Sequence, residues 1–436
     1  INKKTQKLPF SHNSLLRTIA ITAAVFASLQ LGTSPSILLP SELSLEEAEQ
    51  LALDSDPDIQ AFIARAEAFE HLAASVTELP DVQLRAGLMN YPLEHGNFRT
   101  EGMTHTVIGV RQSIPPRGLR PALFDKNENL AQEQDYLSLN HALEIQHKVR
   151  HAWLDASFHE RRLQLILKSK ELFGDLLHLA RTLYSTGDGN QSDILQVELE
   201  QFKLDDRILE AEQDRDHAYI SLREYVGKDR ALKVSSTLPN WNSVASLTDL
   251  RPVLVEHPTM LALTAQADAT EAQRRVEESG LNRKWMIDLS YAYRDGGLLS
   301  GQSRSDLISA SISFNLPIWG QQKYRQKIVQ VSKLQSATLL KQQSTLRELE
   351  TKLESALEHW TTLTSRVALY EEQILPKAEE TVTVTLESYE NQGSDLTAVV
   401  QSYISQIDAE LTHLKLTFNR LKVWADIDKL VGLENL

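Results

Sequence analysis

The chain has 436 residues, 42% of them hydrophobic and 24% charged, a balance that suits a folded protein and is too polar for a bundle of membrane-spanning helices. Its formal charge of −14, with no stripe of Lys and Arg, argues against a nucleic-acid partner, and the absence of cysteine excludes disulfides, thiolate metal sites and a lipid attached through a thiol. Only 14 prolines and 17 glycines punctuate the sequence, so long helices are permitted and these residues are expected to mark their ends.

Lys3, Lys4, Lys7 and Arg17 precede an apolar run from Ile19 to Leu31, and the break Gly32-Thr33-Ser34-Pro35 follows. Positive residues, then a short apolar core, then small residues is the order of a secretory signal. Residues 1–27 are expected to be removed by cleavage after Ala27, with 28–43 a linker. The chain opens on Ile, and its natural start is expected upstream.

Helical spacing of apolar residues begins at Leu45 and Ala48 and continues through Leu51, Ala52 and Ile59, which predicts one helix over about Ser44 to Thr77. Ser44 with Glu47 forms a capping box at its start. After Pro80 the period changes to two: Val82, Leu84, Ala86 and Leu88 alternate with Gln83, Arg85 and Gly87. A second strand is predicted from about Thr104 to Ile114, with Ile108 and Val110 opposed by His105 and Arg111. From Leu119 to about Tyr184 helical spacing resumes without a break, and Leu163, Ile166, Phe173, Leu176, Leu177, Ala180 and Leu183 mark a packing seam. A Gly-bearing turn then reverses the chain into a helix from Ser192 to Val226.

The same order returns about 200 residues later, which points to an internal duplication over 44–240 and 241–436. Pro57 has its counterpart in Pro258; Ala61, Ala66 and Ala68 fall on Ala262, Ala267 and Ala269; Pro115 and Gly118 on Pro317 and Gly320; Tyr184 and Gly187 on Tyr389 and Gly393. The second strand pair is clearer than the first. Ile287, Leu289, Tyr291 and Tyr293 alternate with Asp288, Ser290, Ala292 and Arg294, and Ile308, Ala310, Ile312 and Phe314 with Ser309, Ser311 and Ser313. A long helix from Gln321 to about Tyr389 and a return helix from Asp395 to Val431 complete the copy. Alternation of this kind usually means half-buried sheet in a soluble domain, but two hairpins separated by long helices have no other strands to form a sandwich. Pairing with strands of other subunits resolves this. Trp285 and Trp319 would lie at the same ends of adjacent strands, where an aromatic belt meets a membrane surface; scattered surface tryptophans are the plain alternative.

These features together resemble the TolC family of outer-membrane efflux proteins over essentially the whole mature chain. The matching segments are SLEEAEQLAL followed by Asp56 and Pro57, the turns SIPPRG and NLPIWG, and the tips LYSTGDGNQSDILQ and SYENQGSDLTAVVQ. The IPPRG turn makes the chain look closest to the CzcC-like branch associated with metal-ion exporters. The resemblance implies a mainly α fold of duplicated long helical hairpins forming an α-barrel, with four strands per chain contributing to the twelve-stranded transmembrane β-barrel of a homotrimer set in outer-membrane lipid. It implies a passive exit duct fed by an inner-membrane efflux pump through a periplasmic adaptor. By the same resemblance Leu183, Tyr184, Gly187, Tyr389 and Gly393 would meet the adaptor. Asp193, Asp395, Ala398 and Gln401 would line the periplasmic entrance, where related channels often carry paired aspartates and this chain has Ala398 and Gln401. Two other readings stay open: the outer-membrane component of a type I protein-secretion system, and a periplasmic coiled-coil scaffold.

No G-x-S-x-G, HExxH, Walker or GxGxxG motif is present, so an enzyme and a nucleotide cofactor have nothing to stand on. His147 and His151, four apart on a helix beside Glu144, have a spacing that could hold zinc. With no third ligand in view they read as an incidental surface pair, and no metal or cofactor is expected.

Overall fold

A computed structural model describes residues 42–94, 96–187, 189–227, 233–298, 300–316, 320–391 and 395–432. The expected signal, nearly all of the linker, Pro317, Trp319 and Gly393 lie outside the described residues.

The first repeat opens with β1 (Glu42–Leu43) and α1 (Leu45–Ser55), whose start is capped by Ser44 Oγ accepting from the Glu47 N–H at 3.1 Å. The expected single helix is in fact two. Pro57 has no N–H to donate and holds Asp56 in extended backbone (φ −75°, ψ 116°), where the Asp56 carboxylate accepts from the N–H groups of Asp58 and Ile59, both at 2.9 Å, and starts α2 (Pro57–Ser75). Next come β2 (Gln83–Met89) and β3 (His105–Ile114). Then α3 (Leu119–Thr186) runs for 68 residues, roughly 100 Å at the helical rise, and α4 (Gln191–Val226) returns along it.

A short β4 (Lys233–Val234) pairs in parallel with β1, a tie that nothing in the alternation pattern announces. The second repeat has a short α5 (Leu247–Leu250), a 3-10 turn (Arg251–Glu256), α6 (Pro258–Ser279), β5 (Trp285–Tyr293) and β6 (Leu307–Phe314). Its long limb, expected to be uninterrupted, is not. α7 (Gln321–Leu369) ends in a π turn over Tyr370–Ile374 before α8 (Leu375–Glu390) continues. Pro376 cannot donate to the carbonyl one turn back, and the wider turn, with the Leu375 N–H reaching Tyr370 O, lets the helix pass that gap. The last helix, α9 (Leu396–Val431), starts at Asp395, whose carboxylate accepts from the Thr397 N–H at 3.0 Å.

The other four described strands form one sheet in the order β2-β3-β5-β6, antiparallel throughout. The two hairpins therefore pair with each other within the chain, through β3 and β5, before any partner is needed. Apolar side chains of the helices gather in three places. One core joins α1, α3, α4 and α9 around Trp153, Leu154, Leu222 and Phe418. A second fills the far ends of the hairpins around Phe173, Val197, Leu396 and Val399. A third, around Leu254, Leu353, Trp360 and Ile427, packs α7 against α9.

Candidate functional site

Each strand contributes alternate residues to the two faces of the sheet, and the register sets like against like. One face carries the rows Leu84, Val110, Leu289, Ala310 and Ala86, Ile108, Tyr291, Ile308, with Ile287 opposite Ile312. It is largely apolar, with Gln112 beside Ile287 and Thr106 beside Tyr293 as its polar members, and it is uncovered: Leu84 is 72% and Ile308 77% exposed in the single chain. The other face carries Gln83, Arg111, Asp288 and Ser311 in one row and Arg85, Gly109, Ser290 and Ser309 in the next. Asp288 Oδ2 accepts from Arg85 Nη1 and Arg111 Nε, both at 2.7 Å, so three strands are joined through one carboxylate on the polar side. Trp285 is directly opposite Phe314, with ring centroids 4.8 Å apart, and Arg283 lies 5.2 Å over the Phe314 ring. Phe314 is thus the aromatic partner of Trp285 among the described residues; its place in the alternation was visible in the sequence, its pairing was not.

The strand edges are open. Within the sheet β2 and β6 each have one neighbour, which leaves a row of backbone donors and acceptors on either side. On α4 the residues Leu195, Leu199, Phe202, Leu209 and Ile220 form a further uncovered apolar stripe at helical spacing.

At the other end of the molecule the two helical turns meet. Gly187 closes α3 in the left-handed region (φ 87°), with its N–H bonded to Leu183 and Tyr184 carbonyls, and a Cβ added there would meet nothing within 4 Å. Leu183 packs against the tip core, while Tyr184 projects outward at 49% exposure. Tyr389 is different: it is buried in the core between the tips, and its hydroxyl has no hydrogen-bond partner among the described residues. Burial, and the nearby charges of Asp193 and Asp395, push the Tyr389 phenol above its ordinary value. Asp193 from the first tip and Asp395 from the second therefore flank one residue. The Asn190 N–H points at Asp193 Oδ2 (3.5 Å), and Thr397 Oγ1 lies 3.3 Å from Gln196 Oε1, tying one tip to the other. Ala398 and Gln401 are exposed on the first turns of α9.

Midway along α3 and near the end of α9 the two repeats lock together. Buried Arg150 of α3 donates through Nε to Glu49 Oε1 at 2.6 Å and through Nη1 to Asp428 of α9. Its guanidinium carbon lies 5.4 and 5.7 Å from the rings of Trp241 and Trp424, which stack at 4.2 Å. Burial opposes the charge on Arg150, but the two carboxylates prevail and hold its pKa above the usual value. On either side of Arg150 in sequence, His147 and His151 both meet Asp426, a partner the sequence spacing could not reveal.

Residues 49–228 match the family model for outer membrane efflux proteins. The fold matches the outer-membrane channel OprN (TM-score 0.72, 14% identity, 89% of each chain) and CusC, described with conformational changes accompanying transmembrane channel formation (0.76, 12%, 93% of this chain and 96% of that). It also matches the outer membrane protein VceC of Vibrio cholerae (0.72, 13%, 89% and 96%). No curated protein sequence matches the chain closely enough to count as a relative. The first repeat thus matches the outer membrane efflux protein model in sequence, and the chain shares its fold with these outer-membrane channels over about nine-tenths of its length.

Proposed function

We propose that this protein is the outer-membrane duct of a tripartite efflux system: a trimer whose sheets join edge to edge into one barrel and whose helices extend the passage into the periplasm. The observation that carries this reading is the sheet itself, largely apolar on one face, largely polar and salt-bridged on the other, and open at both edges. Such a sheet is marginal in water but matches a barrel with lipid outside and water within. No described helix is long and apolar enough to cross a membrane. Two further copies of this chain would cover the strand edges and the α4 stripe.

The duct performs no chemistry of its own. An inner-membrane pump supplies the energy, and a periplasmic adaptor grips the tips, where Tyr184 and Gly187 are the exposed docking residues and Tyr389 holds the turns in place from inside. Asp193 and Asp395, with Ala398 and Gln401, stand at the entrance and favour cations there. The solute is a metal ion or another small molecule. Deleting the protein from its host should sensitise cells to metal salts or small toxic solutes. Unchanged susceptibility together with loss of an exported protein would assign the duct to protein secretion instead.

A further inference from the structure

We propose that His147, His151 and Asp426 form a binding site for a divalent metal ion of the zinc type, placed where the long helix of the first repeat crosses the last helix of the second. The two imidazoles lie one turn apart on α3, on the same face, with ring centroids 4.3 Å apart. Both direct Nε2 at the same oxygen, Asp426 Oδ1, at 2.6 and 2.9 Å. One ligand atom from each of the three residues can be chosen so that all lie within 4.8 Å of one another.

In a tetrahedral zinc site the nitrogen and oxygen ligands lie at about 2.0 to 2.2 Å from the ion, which puts ligand atoms about 3.3 Å apart. The Asp426 carboxylate therefore has to retreat by less than about 1 Å for an ion to replace the two hydrogen bonds. Two imidazoles and one carboxylate are borderline ligands that suit zinc, cobalt, nickel and cupric ions, and three protein ligands leave a position for water. All three residues are half-buried, which restrains their rotamers and leaves a way in. They project from the interiors of two helices rather than from loops, so the backbone holds the geometry.

A second cluster, Asp56, Asp58 and His141, meets the same distance criterion and supplies a control. Its Asp56 Oδ1 already accepts from the Asp58 and Ile59 N–H groups as the cap of α2, so a metal there would compete with the helix start. Asp426 Oδ1 has the two imidazoles alone as its described partners. Glu144, one turn before His147, is engaged with Lys148 at 3.0 Å and does not compete for the ion. An ion held at Asp426 would tie α3 to α9 beside the Arg150–Asp428 lock, stabilising the joint between the repeats by mass action.

The test is a titration of the full-length, detergent-solubilised, chelator-treated protein with cobalt(II) chloride, followed by visible absorption and then by displacement with zinc chloride. One cobalt per chain with an intense low-coordinate spectrum, displaced by zinc, is expected. His147→Gln, His151→Gln and Asp426→Asn should each weaken binding by at least about tenfold, whereas Asp56→Asn, which preserves the cap, should leave it unchanged. Wild-type protein that gives no such spectrum overturns the proposal, as does a spectrum unaltered in Asp426→Asn. The wild-type titration and the His147 variant, whose glutamine can still donate to Asp426, decide the matter even if another variant fails to fold.

Discussion

Arg111 and Asp288 are direct cross-strand partners at the junction of the two hairpins, with Arg111 Nε donating to Asp288 Oδ2 at 2.7 Å. Because Arg85 reaches the same oxygen from β2, a single carboxylate pins three strands and defines one face of the sheet as polar. The next residue along the strand, Leu289, faces the opposite way, among Val110 and Ala310.

That register predicts unequal results for two neighbouring substitutions on β6. Ile312 lies opposite Ile287 on the apolar face and is 66% exposed, whereas Ser311 lies opposite Asp288 on the polar one. Ile312→Arg puts a cation into lipid at a cost of roughly 2 to 4 kcal/mol near mid-membrane, while Ser311→Arg points one at a carboxylate. The yield of heat-resistant, membrane-inserted oligomer should fall for Ile312→Arg and hold for Ser311→Arg. Equal yields would contradict the assigned faces.

Arg150→Met removes one member of a buried charged group and leaves Glu49 and Asp428 facing each other without a cation. Breaking such a group costs about 3 to 5 kcal/mol. Denaturant unfolding of the solubilised variant should show a loss of that size, much of it recovered when Asp428→Asn is added. A loss below about 1 kcal/mol would mean that the stacked tryptophans, rather than the charges, hold the repeats together.

His257 predicts a pH dependence. It starts α6 with Nδ1 accepting from the Thr259 N–H, and its Nε2–H donates to Lys429 O, both at 3.2 Å, so the folded protein holds the neutral ring. Burial first, and the neighbouring Lys429 charge with it, outweigh the carbonyl bond and lower its pKa below 6.5. A lowered histidine pKa means that the unfolded chain takes up the proton first, so stability is full above about pH 6.5 and declines as pH falls from there toward the folded-state value. His257→Asn keeps a capping side chain and removes the titration. Its Tm should fall less between pH 7 and 5 than that of the wild type; parallel curves would rule His257 out as the source.

At the tip, Gly187→Val forces a β-branched residue to φ 87°, a strain of about 1 to 2 kcal/mol, although its Cβ meets no neighbour. Oligomers should still assemble, and cross-linking to the adaptor should weaken. Asp395→Asn retains the helix cap, so any drop in cation preference in single-channel recordings reports the lost charge rather than a damaged turn. A Gly187→Val protein that does not assemble would make the tip a folding element instead of a docking surface.

Much of this architecture is legible in the sequence, because it follows from periodicity. The alternation of Ile287 to Tyr293 and Ile308 to Phe314 gave both strands and their faces, and the seam from Leu163 to Leu183 gave the long limb. What escaped depends on contacts between distant segments or on a backbone detail inside a periodic stretch. Pro57 and Pro376 each interrupt an apolar pattern that continues across them, so the pattern alone reads through the break. The resemblance sets Tyr389 among the residues that would meet an adaptor, yet in the single chain it is buried in the core between the tips, a contact its local sequence does not announce. Asp426, remote from His147 in the sequence and set among apolar residues of α9, offers no local sign that it completes a cluster.

The central claim, an outer-membrane trimer closed by its own strands, is tested most directly by the mass of the protein extracted by detergent from the outer-membrane fraction and corrected for bound detergent. The account predicts three copies of the chain. A stable monomer, released from that fraction by salt alone and soluble without detergent, would contradict it.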